Sequence, residues 1–271
     1  MLTREAFRHR FNRNAVIGMV HVDALPGAPR YSGSMQSVID AALRDATALR
    51  DGGCDAIAFE NFGDRPFFKD GVPAETIAAL TRVIVEVAAR VSLPFGVNVL
   101  RNDAGSAIAI AAATGAAFIR VNVHTGAMLT DQGIIEGRAA ETLRKRTALA
   151  PDVLIFADHM VKHAVPVAGV NEIQAAKDLR QRGLADGVIV SGSGTGVEPD
   201  RAGFGALRNA LPDCPILIGS GLTEANARAF AEADGAIVGT SIKIDGRVEA
   251  PVDPDRVARL VAAIKNAVSS I

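Results

Sequence analysis

The sequence predicts a single α/β domain folded as a (β/α)8 TIM barrel, and three observations lead to this prediction. Eight short apolar runs rich in β-branched residues alternate with amphipathic segments along the chain. The runs begin about 31 residues apart on average, which suits a barrel of roughly 250 residues, and the chain has 271 residues. Apolar strands that alternate with helices indicate a parallel sheet covered by helices. A doubly wound open sheet is the competing architecture, but units of even length favour closure.

The predicted elements follow from local signals. The strands are predicted at residues 15–20, 55–60, 95–99, 117–122, 153–158, 187–191, 215–218 and 234–239. The first long helix is expected to start after Ser34, a good N-cap, and to end where Gly52 takes the left-handed C′ position. Pro73 is predicted to open the second long helix, because a missing N–H is harmless in the first turn. The last helix is predicted to begin near Asp253-Pro254.

The first 13 residues differ from the rest, so the predicted domains are an Arg-rich segment, 1–13, and a barrel domain, 14–271. Four arginines at positions 4, 8, 10 and 13 interleave with Phe7 and Phe11, which are four residues apart on a short helix. One interpretation is a lid whose phenylalanines fill the floor of the barrel. The alternative is an element that docks on a membrane surface or a partner.

The composition excludes several classes of function. Lysine and arginine (29) balance aspartate and glutamate (30), which gives a net charge of −1. A nucleic-acid partner is not expected, because such proteins normally present a basic face. Cys54 and Cys214 indicate buried thiols in a reducing compartment rather than a disulfide framework or a zinc knuckle. The sequence shows no signal-peptide pattern and no run of about 20 strongly apolar residues, so a cytoplasmic location without a membrane span is predicted.

Polar side chains at the ends of the first five predicted strands are the candidates for catalysis, since barrel enzymes act at the carboxyl ends of their strands. The predicted catalytic residues are His21, Glu60, Arg101, Arg120, Asp158 and Lys162, and neighbouring amides predicted to bind substrate are Asn98, Asn102 and Asn122. Asp158 is the first choice for acid/base work, because it closes an otherwise apolar strand.

Each of these assignments has an alternative. Asp158 could instead be a structural partner of Arg120 or Lys162, because a buried charge is costly unless it is paired. Glu60 could likewise pair with Arg101 or Arg120, and His21 could be an ordinary residue of the rim. No cofactor is predicted. A divalent metal held by His21, Glu60 and Asp158 is possible, although no local ligand spacing supports it.

The last three predicted strands end in glycine and hydroxyl residues, a composition typical of phosphate sites. Glycine lets backbone amides approach an anion closely, and barrels often bind phosphate in the loops after strands seven and eight. The residues predicted to bind substrate here are Ser191, Gly192, Gly194, Gly219, Ser220, Gly221, Gly239 and Thr240. Alternatively, the glycines only permit tight turns. The pattern is neither a Walker A motif nor a dinucleotide fingerprint.

Several of these runs resemble the BtpA/SgcQ family. The resemblance rests above all on 96–103 (Gly-Val-Asn-Val-Leu-Arg-Asn-Asp), and also on 17–21, 118–122, Asp131-Gln132-Gly133, 157–164 and 238–243. It implies a TIM barrel of the ribulose-phosphate-binding type. The family names imply a role in photosystem I biogenesis or in sugar-metabolism operons, and neither specifies a reaction.

Two functions therefore stay open at this stage. The first is an enzyme that binds a phosphorylated small molecule, such as a phosphosugar or a nucleotide-like compound, and acts on it as an isomerase, lyase or hydrolase. The second is a non-catalytic assembly or regulatory factor that retains the phosphate pocket and docks peripherally through its N-terminus. The density of ionisable strand ends favours the enzyme. A homo-oligomer is also expected, because barrels often associate.

Overall fold

Eight parallel strands close into a barrel in the computed structural model, which describes residues 1–268. The last three residues of the predicted barrel domain lie outside this described part. The strands of the barrel, in spatial order, are β1 (Ala15–His21), β2 (Ala56–Glu60), β3 (Phe95–Asn98), β4 (Phe118–Val121), β7 (Leu154–His159), β9 (Gly187–Val190), β10 (Ile216–Ile218) and β11 (Gly235–Val238). β11 pairs with β1 from Ala15 opposite Gly235, which closes the ring. The predicted fold class is confirmed.

α-Helices alternate with the barrel strands as expected, except that a short 3-10 helix, Ala227–Phe230, stands between β10 and β11. In chain order they are α1 (Arg4–Phe11), α2 (Met35–Asp51), α3 (Ala74–Ala88), α4 (Ala104–Thr114), α5 (Ala139–Leu149), α6 (Glu172–Gln181), α7 (Arg201–Ala210) and α8 (Pro254–Val268). None of the described helices is long and apolar enough to cross a membrane.

The capping predictions hold at one end of α2 and fail at the other. Ser34 caps the helix as predicted, since its Oγ accepts the amide of Ser37 at 3.2 Å. The left-handed residue, however, is Gly53 with φ 89°, whereas Gly52 has φ −77°. Gly52 still donates its N–H to Ala48 within the last turn, so the chain reverses one residue later than predicted. Pro73 sits at the N-cap of α3, one position before the helix begins.

The N-terminal helix α1 closes the floor of the barrel. Phe7 and Phe11 are fully buried, and Phe11 lies 5.9 Å from Phe118 and 6.0 Å from Phe156 between ring centroids. Arg4 and Arg8 contribute as well, because both contact the completely buried carboxylate of Asp234. The structure thus agrees with the interpretation of this segment as a lid. The phenylalanines are buried and are not available for docking elsewhere.

A small antiparallel sheet above the barrel was not predicted. Its strands are β5 (Ala127–Thr130), β6 (Gly133–Glu136) and β8 (Ala164–Pro166), in the spatial order β6-β5-β8. The loops that follow β4 and β7 supply these strands, so the sheet joins two neighbouring loops at the mouth of the barrel. Its tight turn at 130–133 carries Asp131 to the rim.

Candidate active site

A cavity of about 720 Å³ opens at the carboxyl ends of the barrel strands. Eleven of the residues predicted for the site line it, namely His21, Glu60, Arg101, Arg120, Asn122, Lys162, Gly219, Ser220, Gly221, Gly239 and Thr240. Six predicted residues do not line it: Asn98, Asn102, Asp158, Ser191, Gly192 and Gly194. Residues of the predicted catalytic set and of the predicted glycine-rich set therefore line the same cavity. Some members of each set lie behind the cavity wall.

Of the two carboxylates predicted for catalysis, Glu60 is the one that reaches the cavity. It ends β2, and its Oε2 accepts a hydrogen bond of 2.6 Å from the amide nitrogen of Asn98 on β3. Its Oε1 lies 3.9 Å from Nε2 of His21. Among the described residues no arginine lies within 4.0 Å of Glu60, so the alternative of an ion pair with Arg101 or Arg120 is not observed. Asn98 positions Glu60 from behind rather than facing a ligand.

Asp158 is the structural partner of Arg120, which was the alternative to its predicted acid/base role. Both carboxylate oxygens accept from the Arg120 guanidinium at 3.0–3.3 Å, and Asn122 donates to Oδ2 at 2.7 Å. The Asp158 side chain is fully buried. Burial alone would lower the pKa of Arg120, but Asp158 and Glu60 outweigh that effect and raise it. Asp158 thus holds Arg120 as a cation facing the cavity and cannot itself touch a ligand.

Arg101 and Lys162 form a second cationic group on the same wall. A terminal nitrogen of Arg101 donates to the Lys162 carbonyl at 2.8 Å, which links the loops after β3 and β7. Burial lowers the pKa of both side chains. For Lys162, the neighbouring Arg120 acts in the same direction.

His21 is a neutral imidazole between two charged regions. It stacks on Phe62 at 4.4 Å between ring centroids. Burial, followed by the charges of Lys243 and Lys162, lowers its pKa to about 3. Its Nδ1 has no hydrogen-bond partner within the described residues. A neutral imidazole of this kind can position the neighbouring Glu60 carboxylate but does not supply a positive charge at neutral pH.

The described residues contain no group of three or more His, Cys, Asp or Glu side chains placed to hold a metal ion. The possible convergence of His21, Glu60 and Asp158 is therefore not observed, because Asp158 turns to Arg120.

The glycine-rich loops after β10 and β11 line the opposite side of the cavity. Gly221 adopts φ 68°, and a Cβ there would collide with the backbone of Val197 and Glu198. Only glycine lets the loop after β9 lie directly on the loop after β10. Ser220 supports the same contact, since its Oγ accepts from Gly192 N at 3.1 Å and donates to Val197 O at 3.0 Å. Its hydroxyl is thus engaged with the loop after β9, and the residue also lines the cavity.

Four of the predicted binding residues that do not line the cavity lie in the loops around it. Gly192 has no room for a side chain beside the Val197 carbonyl, and Ser191 and Gly194 belong to the same supporting loop after β9. Asn102 bridges two loops, because its amide exchanges hydrogen bonds of 2.8 and 2.9 Å with the backbone of Val123. These residues shape the loops that carry the lining.

Several lining residues were not among the predicted site residues. Asp131 comes from the tip of the small sheet, and Thr195 accepts or donates a hydrogen bond of 2.9 Å with His163 Nε2. Asp131 belongs to the run Asp131-Gln132-Gly133, one of those that resemble the family, and this resemblance was the signal that could have identified it as a site residue. Arg65 lies in the loop after β2 and Arg256 in the first turn of α8, and neither position has a distinguishing sequence pattern.

Comparison with known proteins gives consistent matches over nearly the whole chain. The model of the BtpA family matches residues 12–266. The protein of Synechocystis sp. named photosystem I biogenesis protein BtpA is 45% identical over 258 residues, which cover 95% of this chain and 90% of that protein. The Escherichia coli protein named putative sgc region protein SgcQ is 34% identical over 254 residues, which cover 92% and 94%.

A solved structure gives an independent match to the fold. N-(5'-phosphoribosyl)anthranilate isomerase from Pyrococcus furiosus aligns with a TM-score of 0.58 at 14% sequence identity, over 93% of this chain and 99% of that one. At this level of identity the similarity shows a common barrel fold.

Proposed function

This chain belongs to the BtpA family, and we propose that it is an enzyme that binds a small phosphorylated metabolite and moves a proton on its carbon skeleton. The observation that carries the proposal is the division of one cavity into two unlike sides. Glu60, Arg120 and Lys162 line one side, and the loops at 219–221 and 239–240 line the other. Such a division suits a ligand with a phosphate at one end and a reactive carbon at the other.

The glycine-rich side is the proposed phosphate site. Backbone amides in glycine loops donate to phosphate oxygens at close range, and barrels frequently place this site after strands seven and eight. β10 and β11 are the seventh and eighth barrel strands of this chain. The Thr240 hydroxyl adds a further donor. A phosphosugar or a nucleotide-like compound would fit a cavity of about 720 Å³.

On the other side, Glu60 is the proposed proton-transfer group. Asn98 fixes one carboxylate oxygen, which leaves the oxygen nearer His21 to face a substrate C–H or O–H group. Arg120, Arg101 and Lys162 would then stabilise negative charge that develops on the substrate oxygen. This arrangement serves an isomerase or a lyase through an enolate-like intermediate, and with a bound water it would serve a hydrolase.

The alternative is a non-catalytic factor in the assembly of a membrane complex, as the name of the Synechocystis relative implies for that protein. That function would need a docking surface, for which the N-terminal segment was the candidate. The apolar face of α1 is instead buried in the barrel floor. Removal of residues 1–13 would therefore cost stability under either function, and ligand binding and proton exchange are the measurements that separate the two.

The experiment is a thermal-shift screen of the full chain against pentose and hexose phosphates and nucleoside monophosphates. A ligand at 100 times its Kd adds about 2.7 kcal/mol of stability. Gly221→Ala should abolish that stabilisation, because the new Cβ displaces the adjoining loop. Gly115→Ala is the matched control, since Gly115 also has positive φ but no neighbour within 4 Å.

For any ligand that binds, deuterium exchange from D2O into its carbon-bound positions is followed by NMR. Glu60→Gln should slow the exchange by roughly 10²-fold or more while the ligand still binds. Exchange at the parental rate in this variant would refute the role of Glu60. If no phosphate ester stabilises the protein, the proposed function is wrong.

A further inference from the structure

Two cations in the cavity, Arg101 and Lys162, form no ion pair with any carboxylate in the described part of the chain. Arg101 is only 6% exposed, and its guanidinium donates to a backbone carbonyl, that of Lys162, rather than to a carboxylate. Lys162 is partly buried and lines the same space. Within the described chain, neither side chain has a carboxylate oxygen within 4.0 Å.

The other ionisable groups of this wall do not balance the two cations. Asp158 is committed to Arg120 through both oxygens. Glu60, which is bonded to the neutral amide of Asn98, offsets only one of the two cations, and Asp131 is exposed at the tip of its hairpin. The wall therefore carries an excess of buried positive charge. Burying a charge without a partner costs several kcal/mol, which favours a ligand that brings the missing negative charge.

We propose that Arg101 and Lys162 hold a carboxylate of the substrate, so that the substrate is a phosphorylated acid with anionic groups at both ends. The planar guanidinium of Arg101 matches the geometry of a carboxylate, and Lys162 adds a second donor beside it. This inference rests on the proposed function, because the glycine-rich loops are taken to hold the phosphate.

The barrel order sets the two anionic groups apart. β3, which precedes Arg101, and β10, which precedes the glycine-rich loop, are four strands apart in either direction around the ring. They therefore face each other across the mouth. β2 is the neighbour of β3 in the ring, so Glu60 at its end lies beside the Arg101 end of such a ligand. The carboxylate would fix the substrate so that the carbon next to it lies near the proposed proton-transfer group.

The test is calorimetric titration of the full chain with matched ligand pairs. 3-Phosphoglycerate and glycerol 3-phosphate share a skeleton and differ in a carboxylate against a hydroxymethyl group. 6-Phosphogluconate and sorbitol 6-phosphate make the same comparison for a longer ligand. In at least one pair the acid should bind at least roughly tenfold more tightly than the alcohol, because only the acid accepts charge-assisted hydrogen bonds from the two cations.

The outcomes separate this inference from the proposed function. Equal affinity of acid and alcohol in both pairs overturns the carboxylate site and leaves the phosphate site standing. Binding of unphosphorylated gluconate, with affinity equal to that of 6-phosphogluconate, supports the carboxylate site and overturns the phosphate site. Absence of binding by every probe overturns both.

Variants test which residues are responsible. Arg101→Met and Lys162→Met should each remove the preference for the acid and leave the affinity for the alcohol within roughly twofold. Arg101→Lys should restore part of the preference, since it returns the charge without the planar fork. Arg144→Met, on the exposed surface of α5, is the control and should change neither affinity.

The ligand-free protein gives a second measurement. If Lys162 is unbalanced, Lys162→Met should leave the melting temperature unchanged or raise it, because the variant removes a buried charge without breaking an ion pair. A lower melting temperature would show that the protein itself balances the cation, and this would count against the proposal.

Discussion

Within the cavity, the imidazole of His21 is kept neutral by its surroundings. Burial is the largest cause of its low pKa of about 3, and the cations Lys243 and Lys162 add to it. The ring stacks on Phe62, and the guanidinium of Arg65 also lies over the Phe62 ring, 4.5 Å from its centroid. This stack forms a wall between the main cavity and a smaller one of about 320 Å³, which His21, Phe62 and Arg65 also line. Protonation of His21 would disturb both cavities.

The low pKa of His21 predicts a pH dependence of stability. The pKa in the unfolded chain is near the ordinary value of 6.5, and in the native state it is about 3. Between these values the unfolded state binds one more proton, so the free energy of unfolding falls as the pH falls, by about 1.4 kcal/mol per pH unit for this group. Urea titrations of the parent and His21→Gln from pH 7 to pH 4 measure the difference.

In the His21→Gln variant the slope below pH 6.5 should be shallower by one proton. His159 keeps part of the dependence, because burial also lowers its pKa, to about 4. His9→Gln, on the exposed side of α1, is the control and should retain the parental slope. Identical slopes in the parent and His21→Gln would contradict the buried, neutral state of His21.

The sequence could identify Glu60 and Asp158 as carboxylates at strand ends but could not decide between their roles. Both side chains point into the barrel. The difference lies in cross-strand register: Arg120 on β4 is opposite Phe156 on β7, which places its long side chain beside Asp158, two residues farther along. Register between strands that are distant in sequence is not encoded in local patterns, so the sequence offered the pairing with Arg120 as an alternative but could not choose it.

Among the elements, α1 had two interpretations, a lid on the barrel floor and a docking element, and its burial favours the lid. The helix turns Phe7 and Phe11 into the barrel, while Arg4 reaches Asp234 at 2.8 Å. Asp234 also accepts hydrogen bonds from Arg208 and from the amide of Ile216. One buried carboxylate thus ties α1 to α7 and to β10, and the aromatic pair fills the floor.

This arrangement predicts a large loss of stability when an aromatic ring of α1 is removed. Phe11→Ala should lower the free energy of unfolding by about 3–5 kcal/mol, because the ring leaves a cavity against Phe118 and Phe156. Phe68→Ala is the matched control, since Phe68 is 59% exposed and should cost little. Chemical denaturation gives both values. A loss below about 1 kcal/mol for Phe11→Ala would mean that the helix does not close the floor.

Other elements show where prediction from sequence stops. The eight barrel strands were predicted within two residues at each end, because each is a continuous apolar run followed by turn residues. The small sheet was not predicted because its paired residues are far apart in the sequence. Thr130 on β5 pairs with Ala164 on β8, 34 residues later. Their strands have three or four residues, too few to show a periodicity. Pairing that depends on two long loops meeting in space leaves no local signal.

At the scale of the whole molecule, the barrel separates stability from binding. The aromatic floor lies at the amino ends of the strands and the cavity at their carboxyl ends. β1 alone has seven residues, and at about 3.3 Å per residue this puts roughly 20 Å between the two ends. The closed ring of hydrogen-bonded strands connects the floor to the cavity, so a change of structure at one end can reach the other end through the strands. Barrel enzymes usually keep the two independent, with catalytic residues on loops at one face and stabilising contacts at the other.

Independence of the two ends predicts additive effects in a double-mutant cycle. Phe11→Leu acts at the floor and Lys162→Met in the cavity, and the two positions share no partner among the described contacts. Their changes in unfolding free energy should therefore add within about 0.5 kcal/mol, as is usual for sites more than ~10 Å apart. Equilibrium denaturation of the parent, both single variants and the double variant measures the coupling. A coupling above about 1 kcal/mol would mean that the barrel transmits strain between its ends, and changes in the floor could then alter ligand affinity.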